Sequence, residues 1–549
     1  MTKPLLLGTA LLLAACNPAA DTTLPVEQPV TVPADYAEDR YDGAQYAASG
    51  LTAMTLPELS AMLERGDVTS VALTQAYLDR IAAVDQSGPR LQSVLSLNEA
   101  ALEQARASDA RRAAGQARGP LDGLPILFKD NIETADAGLA TTAGSYALEN
   151  NVTGRDAPLV AGLREAGAVV LGKTNLSQWA NFRSRSSVSG WSSVGGQVRN
   201  PHMLDRSPCG SSSGSGAAAA AGLAAGAVGT ETNGSIICPS NVNGVVGFKP
   251  TVGVVSQEHI VPISSTQDTA GPMTRTVSGA ALMMDAMATD GSTDYFDALD
   301  AASLQGARIG VLRFAEGGNA DIRERFEAGL EAMRAAGAEL VEIEDFELDA
   351  ENYGRDSLGV LETEFKATLD DYLETSPADI PVRSLTELRA FNDADARETA
   401  VFDQSLFDTS DERPGLDDEG YLAGKASVQR ATGEQGIDRL MAENDVVALV
   451  SPSGPLSSRV DPVNGDTWPA WAGAGYMAAV AGYPHATVPM GAVHGVPLGF
   501  SIMAGAGDDK RVLSLAYALE QATEARVEPQ FLRDAYDRDE LRAALEPGR

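Results

Sequence analysis

Histidine is scarce in this sequence: four residues in 549, alongside three cysteines. Residues so few and so scattered exclude a structural zinc site and a disulfide framework, and no metal or cofactor is expected. Lysine is nearly as rare, seven residues against 34 arginines, so each lysine merits attention. Positive charge as a whole is in deficit. The 41 basic residues face 76 acidic ones, a formal net charge of −35. A phosphate-backbone partner needs clustered Lys and Arg, so no nucleic-acid partner is expected. The apolar runs fall short of the ~20 residues that span a bilayer. What remains is the composition of a globular chain, 44% hydrophobic and 21% charged, with ample material for a large core. Glycine is abundant, and it crowds with Ala in particular stretches, which predicts close backbone packing there.

The first sixteen residues read MTKPLLLGTALLLAAC. Lys3 supplies a positive start, residues 5–13 an apolar stretch, and Ala14 and Ala15 a small-residue cleavage site. The run over residues 13–16 resembles a bacterial lipobox. It implies a lipoprotein-type signal peptide over 1–15, lipidation at Cys16 and a membrane attachment through that lipid. Asn17 in place of Asp resembles outer-membrane sorting, so the expectation is an exported, periplasm-facing lipoprotein. Residues 16–50 are rich in Pro, Thr and Asp with no apolar period, and read as a tether. The folded body is expected over 51–549.

Within that body, helices and strands alternate. Thr55, Pro57 and Glu58 form a helix start. Leu73, Tyr77, Leu78 and Ile81 fall on one helical face. A helix over 158–167 leads into a buried strand at 168–171. Residues 307–312, 321–336 and 339–343 read as strand, helix and strand, a βαβ-like unit. Late strands are expected at 446–450, 486–488 and 498–503, with a closing helix at 510–523. Residues 344–443 are acidic and helical by pattern, and read as an insertion. The predicted class is α/β with a mixed sheet.

Two segments carry chemistry. In Gly119–Ile132, Lys129 follows a strand-like apolar run over 124–128. An ammonium at that place is partly desolvated, which lowers its pKa. To serve as a base near pH 7 it must fall from about 10.4 by roughly three units, worth about 4 kcal/mol, and only a functional site repays that. The second segment runs CGSSSGSG over 209–216, an Ala-rich stretch over 217–228, then GTETNGSIICP over 229–239. Gly and Ser this dense can turn several backbone N–H groups toward one point, an oxyanion cradle. The Ala-rich stretch reads as a buried, closely packed helix and not as a linker.

Together these segments resemble the amidase signature family, nearest its bacterial peptide-amidase-like and aryl-acylamidase-like members. Supporting segments are GKTNLS (172–177), GFKPT (247–251), DTAGPM (268–273) and AGYPHATVP (481–489). The resemblance implies the amidase-signature fold, a large mixed twisted sheet covered by helices. It also implies hydrolysis of a carboxylic amide, with a small or aryl amide or an amidated peptide as substrate. It assigns Ser235 as nucleophile, Ser211 as a bridging residue on a cis peptide, and Lys129 as general base and acid. Backbone N–H groups of Thr232, Asn233, Gly234 and Ser235 would form the oxyanion hole. Ser212 would support by hydrogen bonding, Lys173 and Lys249 would be structural, and Gln178, Trp179 and Phe182 would line the substrate path.

The sequence departs from the family pattern at Cys209 and Asn233, where many members carry Gly, and at Ile237 and Cys238 after the nucleophile. Cys209 and Cys238 are either buried thiols or a disulfide. Three rival readings stand beside the amidase. Gly210-Ser-Ser212-Ser-Gly214 matches the nucleophile elbow of an α/β-hydrolase-type esterase, yet a polar loop precedes it where that elbow needs a strand. A solute-binding lipoprotein would leave the Lys–Ser–Ser set unexplained. A glutamine-amidotransferase role belongs to a cytoplasmic branch, and the export signal argues against it.

Overall fold

The computed structural model describes residues 42–469 and 471–545. Thirteen strands occur among them: β1 (Val94–Leu97), β2 (Pro125–Lys129), β3 (Val169–Thr174), β4 (Trp191–Ser192), β5 (Gly196–Gln197), β6 (Gly226–Glu231), β7 (Val246–Lys249), β8 (Thr269–Thr274), β9 (Arg308–Leu312), β10 (Glu339–Ile343), β11 (Ala448–Pro452), β12 (His485–Val493) and β13 (Val496–Met503). Strands β4 and β5 make a small hairpin. The other eleven form one sheet in the order β1-β3-β2-β6-β8-β7-β12-β13-β11-β9-β10. β2 runs parallel to both β3 and β6, while β6, β8, β7, β12 and β13 pair antiparallel in turn. The sheet is therefore mixed, with helices over it, as expected. The βαβ unit is present: β9 and β10 are parallel neighbours joined through the helix Ala320–Ala335.

The centre of the sheet follows from side-chain chemistry only in part. β2 and β3 are buried throughout and apolar up to the lysine near each C-terminal end, as expected of strands covered on both faces. β6 and β8 are GAVGTE and TAGPMT, with little β-branched character, and they are buried as completely. The sequence pattern placed residues 217–228 in a single helix. The helix is Ser213–Ala221 and stops at Gly222, whose φ of 68° is left-handed. A Cβ there would lie 2.4 Å from the Thr52 carbonyl oxygen, so the chain turns and re-enters the sheet as β6. The predicted close packing is real in this helix: a Cβ on Gly214 would lie 2.3 Å from the Asn175 carbonyl oxygen.

Between β10 and β11 lie the helices Tyr353–Thr375, Leu385–Ala394, Ser405–Asp411 and Glu419–Thr432. The first three close a second apolar cluster around Phe365, Leu369, Leu373 and Phe407, into which the main body sends Trp179 and Phe182. Ordered structure also begins inside the stretch expected to be a tether. Gly43–Tyr46 is a helical turn, and the Tyr46 ring meets Phe531 edge-on at 6.1 Å between centroids. Residues 1–41, with the signal-like segment and Cys16, lie outside the described residues.

Candidate active site

β2 ends at Lys129 and β6 runs parallel beside it, so the lysine and the turn leading to Ser235 both lie at the C-terminal ends of two neighbouring interior strands. Lys129 is wholly buried. Its Nζ lies 2.7 Å from Ser211 Oγ, 2.7 Å from Thr230 Oγ1 and 3.2 Å from the Thr230 carbonyl oxygen. Burial lowers its pKa to about 7, with the charges of Asp268 and Glu231 pulling the other way. That is the value a base at neutral pH requires.

Ser211 follows a cis peptide bond between Gly210 and Ser211. Its neighbour Ser212 locks the loop to β6. The Ser212 hydroxyl donates to the Thr230 carbonyl at 3.0 Å and accepts from the Thr230 N–H at 3.1 Å, while the Ser212 N–H donates to the Ser235 carbonyl at 3.2 Å. These bonds occupy both the hydroxyl and the N–H of Ser212. Nor does it stand on an elbow, since what precedes it is loop with isolated bridges at Met203 and Arg206. His202 bonds the Asn243 carbonyl and His485 bonds Ser501, so neither buried histidine serves Ser212.

Ser235 sits in the turn between β6 and the helix Ile237–Asn243. Its hydroxyl has no protein hydrogen-bond partner among the described residues. The turn is held from two sides. One Glu231 carboxylate oxygen accepts from the N–H groups of Ile236 at 2.8 Å and Ile237 at 3.0 Å. The Thr232 hydroxyl donates to Asp268 at 2.5 Å, and Gln267 donates to the Thr232 carbonyl at 3.2 Å. Gly234 takes a left-handed φ of 77°, a conformation that favours glycine. With the turn so fixed, the N–H groups of Thr232, Asn233, Gly234 and Ser235 donate to no protein acceptor among the described residues. A disulfide joins Cys209 to Cys238, with 5.9 Å between Cα atoms. It ties the chain just before Ser211 to the helix just after Ser235.

Gln178, Trp179 and Phe182, expected along the substrate path, are each buried against partners of their own. Gln178 is buried and donates to Glu398, to Ser193 at 2.9 Å and to the Gly144 carbonyl. Trp179 and Phe182 pack edge-on against Phe407 and Phe365. They cement the helical insertion to the body, because large rings find their burial in that seam. Lys173 is buried 3.5 Å from Asp130, and Lys249 donates to the Pro250 carbonyl. Thr230, Glu231, Gln267 and Asp268 were missed as site residues. Thr230 and Glu231 lie inside the GTETNGS motif and Asp268 opens DTAGPM, so each stood in a recognised segment without a role.

The Amidase family model matches residues 72–513. A protein of Arabidopsis thaliana named as a probable amidase is 34% identical over 500 residues, covering 87% of this chain and 91% of its own. An amidase-named protein of the fungus Arthroderma benhamiae is 34% identical over 534 residues, 89% of this chain and 84% of its own. Among solved structures, the native peptide amidase from Stenotrophomonas maltophilia superposes with a TM-score of 0.82 at 44% identity, covering 87% of this chain and 98% of that one.

These relatives correct one expectation. Placement as an exported outer-membrane lipoprotein anchored at Cys16 rested on the first seventeen residues. The match to plant and fungal amidases runs over most of the chain and brings no such lipoprotein with it. A short Leu- and Ala-rich run ahead of a Cys is a pattern of low specificity. Among the described residues, no helix is long and apolar enough to cross a membrane. Export and the lipid anchor are withdrawn, and with them the ground on which an amidotransferase role was set aside. A family model spanning most of the chain and relatives aligned nearly end to end leave one assignment: this chain belongs to the amidase family, hydrolases acting on carbon–nitrogen bonds.

Proposed function

We propose that the protein hydrolyses carboxamides, peptide C-terminal amides first among them, through a Lys129–Ser211–Ser235 relay and an acyl-enzyme. The observation that carries this reading is Lys129, buried, poised near pKa 7 and 2.7 Å from Ser211. A neutral amine has two hydrogens and one lone pair. Thr230 offers two acceptors, its carbonyl and its hydroxyl oxygen, for the hydrogens. The lone pair is then left for the Ser211 proton. Ser211 in turn takes the proton of Ser235 as the Ser235 oxygen bonds to the amide carbon. The carbonyl oxygen becomes an oxyanion at the N–H groups of residues 232–235. Collapse breaks the carbon–nitrogen bond, and the leaving ammonia takes its proton from Lys129 by way of Ser211. Water then attacks the acyl-enzyme by the same relay, releasing carboxylate and Ser235. The peptide preference rests on similarity to the solved peptide amidase, and small aliphatic and aryl amides are the second reading.

The test is a substrate panel on the purified protein: peptide amides, aryl amides, small aliphatic amides, and glutamine with an acceptor amine. Release of ammonia from peptide amides, lost in Ser235→Ala and lowered by several decades in Lys129→Ala, is expected. Near-normal turnover in the Ser235 variant would overturn the relay, and turnover of glutamine alone would move the protein to the amidotransferase branch.

A further inference from the structure

Beside the turn that carries Ser235 lies a cavity of about 100 Å³. Asn233, Gly234, Ile237 and Tyr476 line it together with the buried pair Glu231 and His485, taken as its floor. The two floor residues are each 1% exposed, and each presents an atom without a partner. His485 Nε2 lies 2.6 Å from Ser501 Oγ. Ser501 has given its own hydrogen to Ser453 at 2.8 Å, so it accepts from the His485 Nε2–H. The imidazole is therefore the tautomer whose Nδ1 is a bare acceptor. That Nδ1 has no hydrogen-bond partner among the described residues, and neither does the second carboxylate oxygen of Glu231. Residue 475 keeps the nitrogen uncovered: a Cβ on Gly475 would lie 2.7 Å from His485 Cε1 and 3.3 Å from Nδ1.

A buried acceptor left unsatisfied is costly. Here two acceptors belong to residues lining one cavity, and none of the donors around it bonds either of them. The carboxylate involved is the one whose other oxygen holds the N–H groups of Ile236 and Ile237 beside the nucleophile. We propose that this cavity is a substrate subsite, and that it receives a short group bearing a hydrogen-bond donor, a hydroxyl on a small apolar stem, carried next to the scissile amide. Ile237 and Tyr476 suit the stem, and the His485–Glu231 floor suits the donor. The space holds several non-hydrogen atoms, which fits a Ser or Thr side chain. The subsite rests on the amide-hydrolase reading above.

A site built to bond a hydroxyl discriminates against the isostere that lacks it. N-acetyl-threoninamide and N-acetyl-valinamide differ by that one group. Binding of each to the Ser235→Ala protein, measured by calorimetry, is expected to favour threoninamide by about five- to tenfold, and wild-type kcat/KM to show the same order. In His485→Phe the preference should fall below about twofold, and in His485→Asn, which puts an oxygen near the Nδ1 position, it should return. Equal binding of the two amides, or a preference that survives His485→Phe, would overturn the subsite, the cavity then holding water only. Failure of the hydrolase reading looks different. The wild type would cleave neither amide, and the binding preference would still be read from Ser235→Ala. The comparison in the unaltered His485 background needs no variant of the floor.

Discussion

Lys129 costs the fold something that a surface lysine would not. Its ammonium is withdrawn from water at the end of a strand buried on both faces, and the proton is correspondingly weakly held. The pH dependence follows in sign. Above about pH 7 the amine is neutral and can accept the Ser211 proton; below it the relay is blocked. The kcat/KM profile should therefore fall on its acid side with an apparent pKa near 7. Asp268 sharpens the test. Its negative charge raises the Lys129 pKa, although burial pushes the Asp268 carboxyl itself up to about 6. In Asp268→Asn that charge is gone, so the acid limb should move to lower pH while the Thr232 hydroxyl keeps an acceptor. An unmoved limb would mean that Asp268 acts on the turn alone. The residues of the proposed relay could be nominated from sequence, because Lys129, Ser211 and Ser235 each sit in a long local motif. Their partners could not. Thr230 meets Lys129 across 101 residues of sequence and Asp268 meets Thr232 across 36, and no local pattern reports such contacts.

The elements around the site divide the same way. β9, its following helix and β10 announce themselves through the alternation of apolar and polar periods, and their observed bounds lie within a residue or two of the expected ones. β6 and β8 are hidden, because Gly, Ala and Pro give no strand signal and pairing with buried neighbours overrides propensity. The Ala-rich stretch illustrates the limit: apolar content alone did not reveal that Gly222 divides it into a helix and a strand. The disulfide between Cys209 and Cys238, left open by spacing, bridges the two halves of this segment. Closing a loop of 29 residues stabilises by about 3–4 kcal/mol in the chain-entropy account. Cys209→Ser with Cys238→Ser should lower the urea midpoint accordingly. An unchanged midpoint would show that packing around Val242 and Trp468 suffices.

Across the whole molecule, one eleven-stranded sheet carries the site and a helical layer closes over one side of it. The class of the fold was readable from the succession of elements, and helices do lie between β10 and β11 where the acidic stretch has a helical pattern. The seam between them has no local sequence signal. Trp179 and Phe182 look like pocket residues from a sequence in which aromatics are few, yet they pack on Phe407 and Phe365, 228 and 183 residues away. Phe365 is central to that seam, 5.0 Å from Phe182 and 5.3 Å from Phe407 between ring centroids. Phe365→Ala should destabilise the protein by about 3–5 kcal/mol, read as a loss in the denaturation midpoint. A change under 1 kcal/mol would mean that the layer is held elsewhere.

The proposed relay makes one serine the nucleophile among the four that crowd residues 211–215 and the one at 235. Covalent labelling of the native protein with a fluorophosphonate, followed by mass spectrometry of the modified peptide, decides between them. The adduct is expected on Ser235, absent in Ser235→Ala and strongly slowed in Lys129→Ala. An adduct on Ser211 or Ser212, with amide turnover intact in Ser235→Ala, would contradict the account.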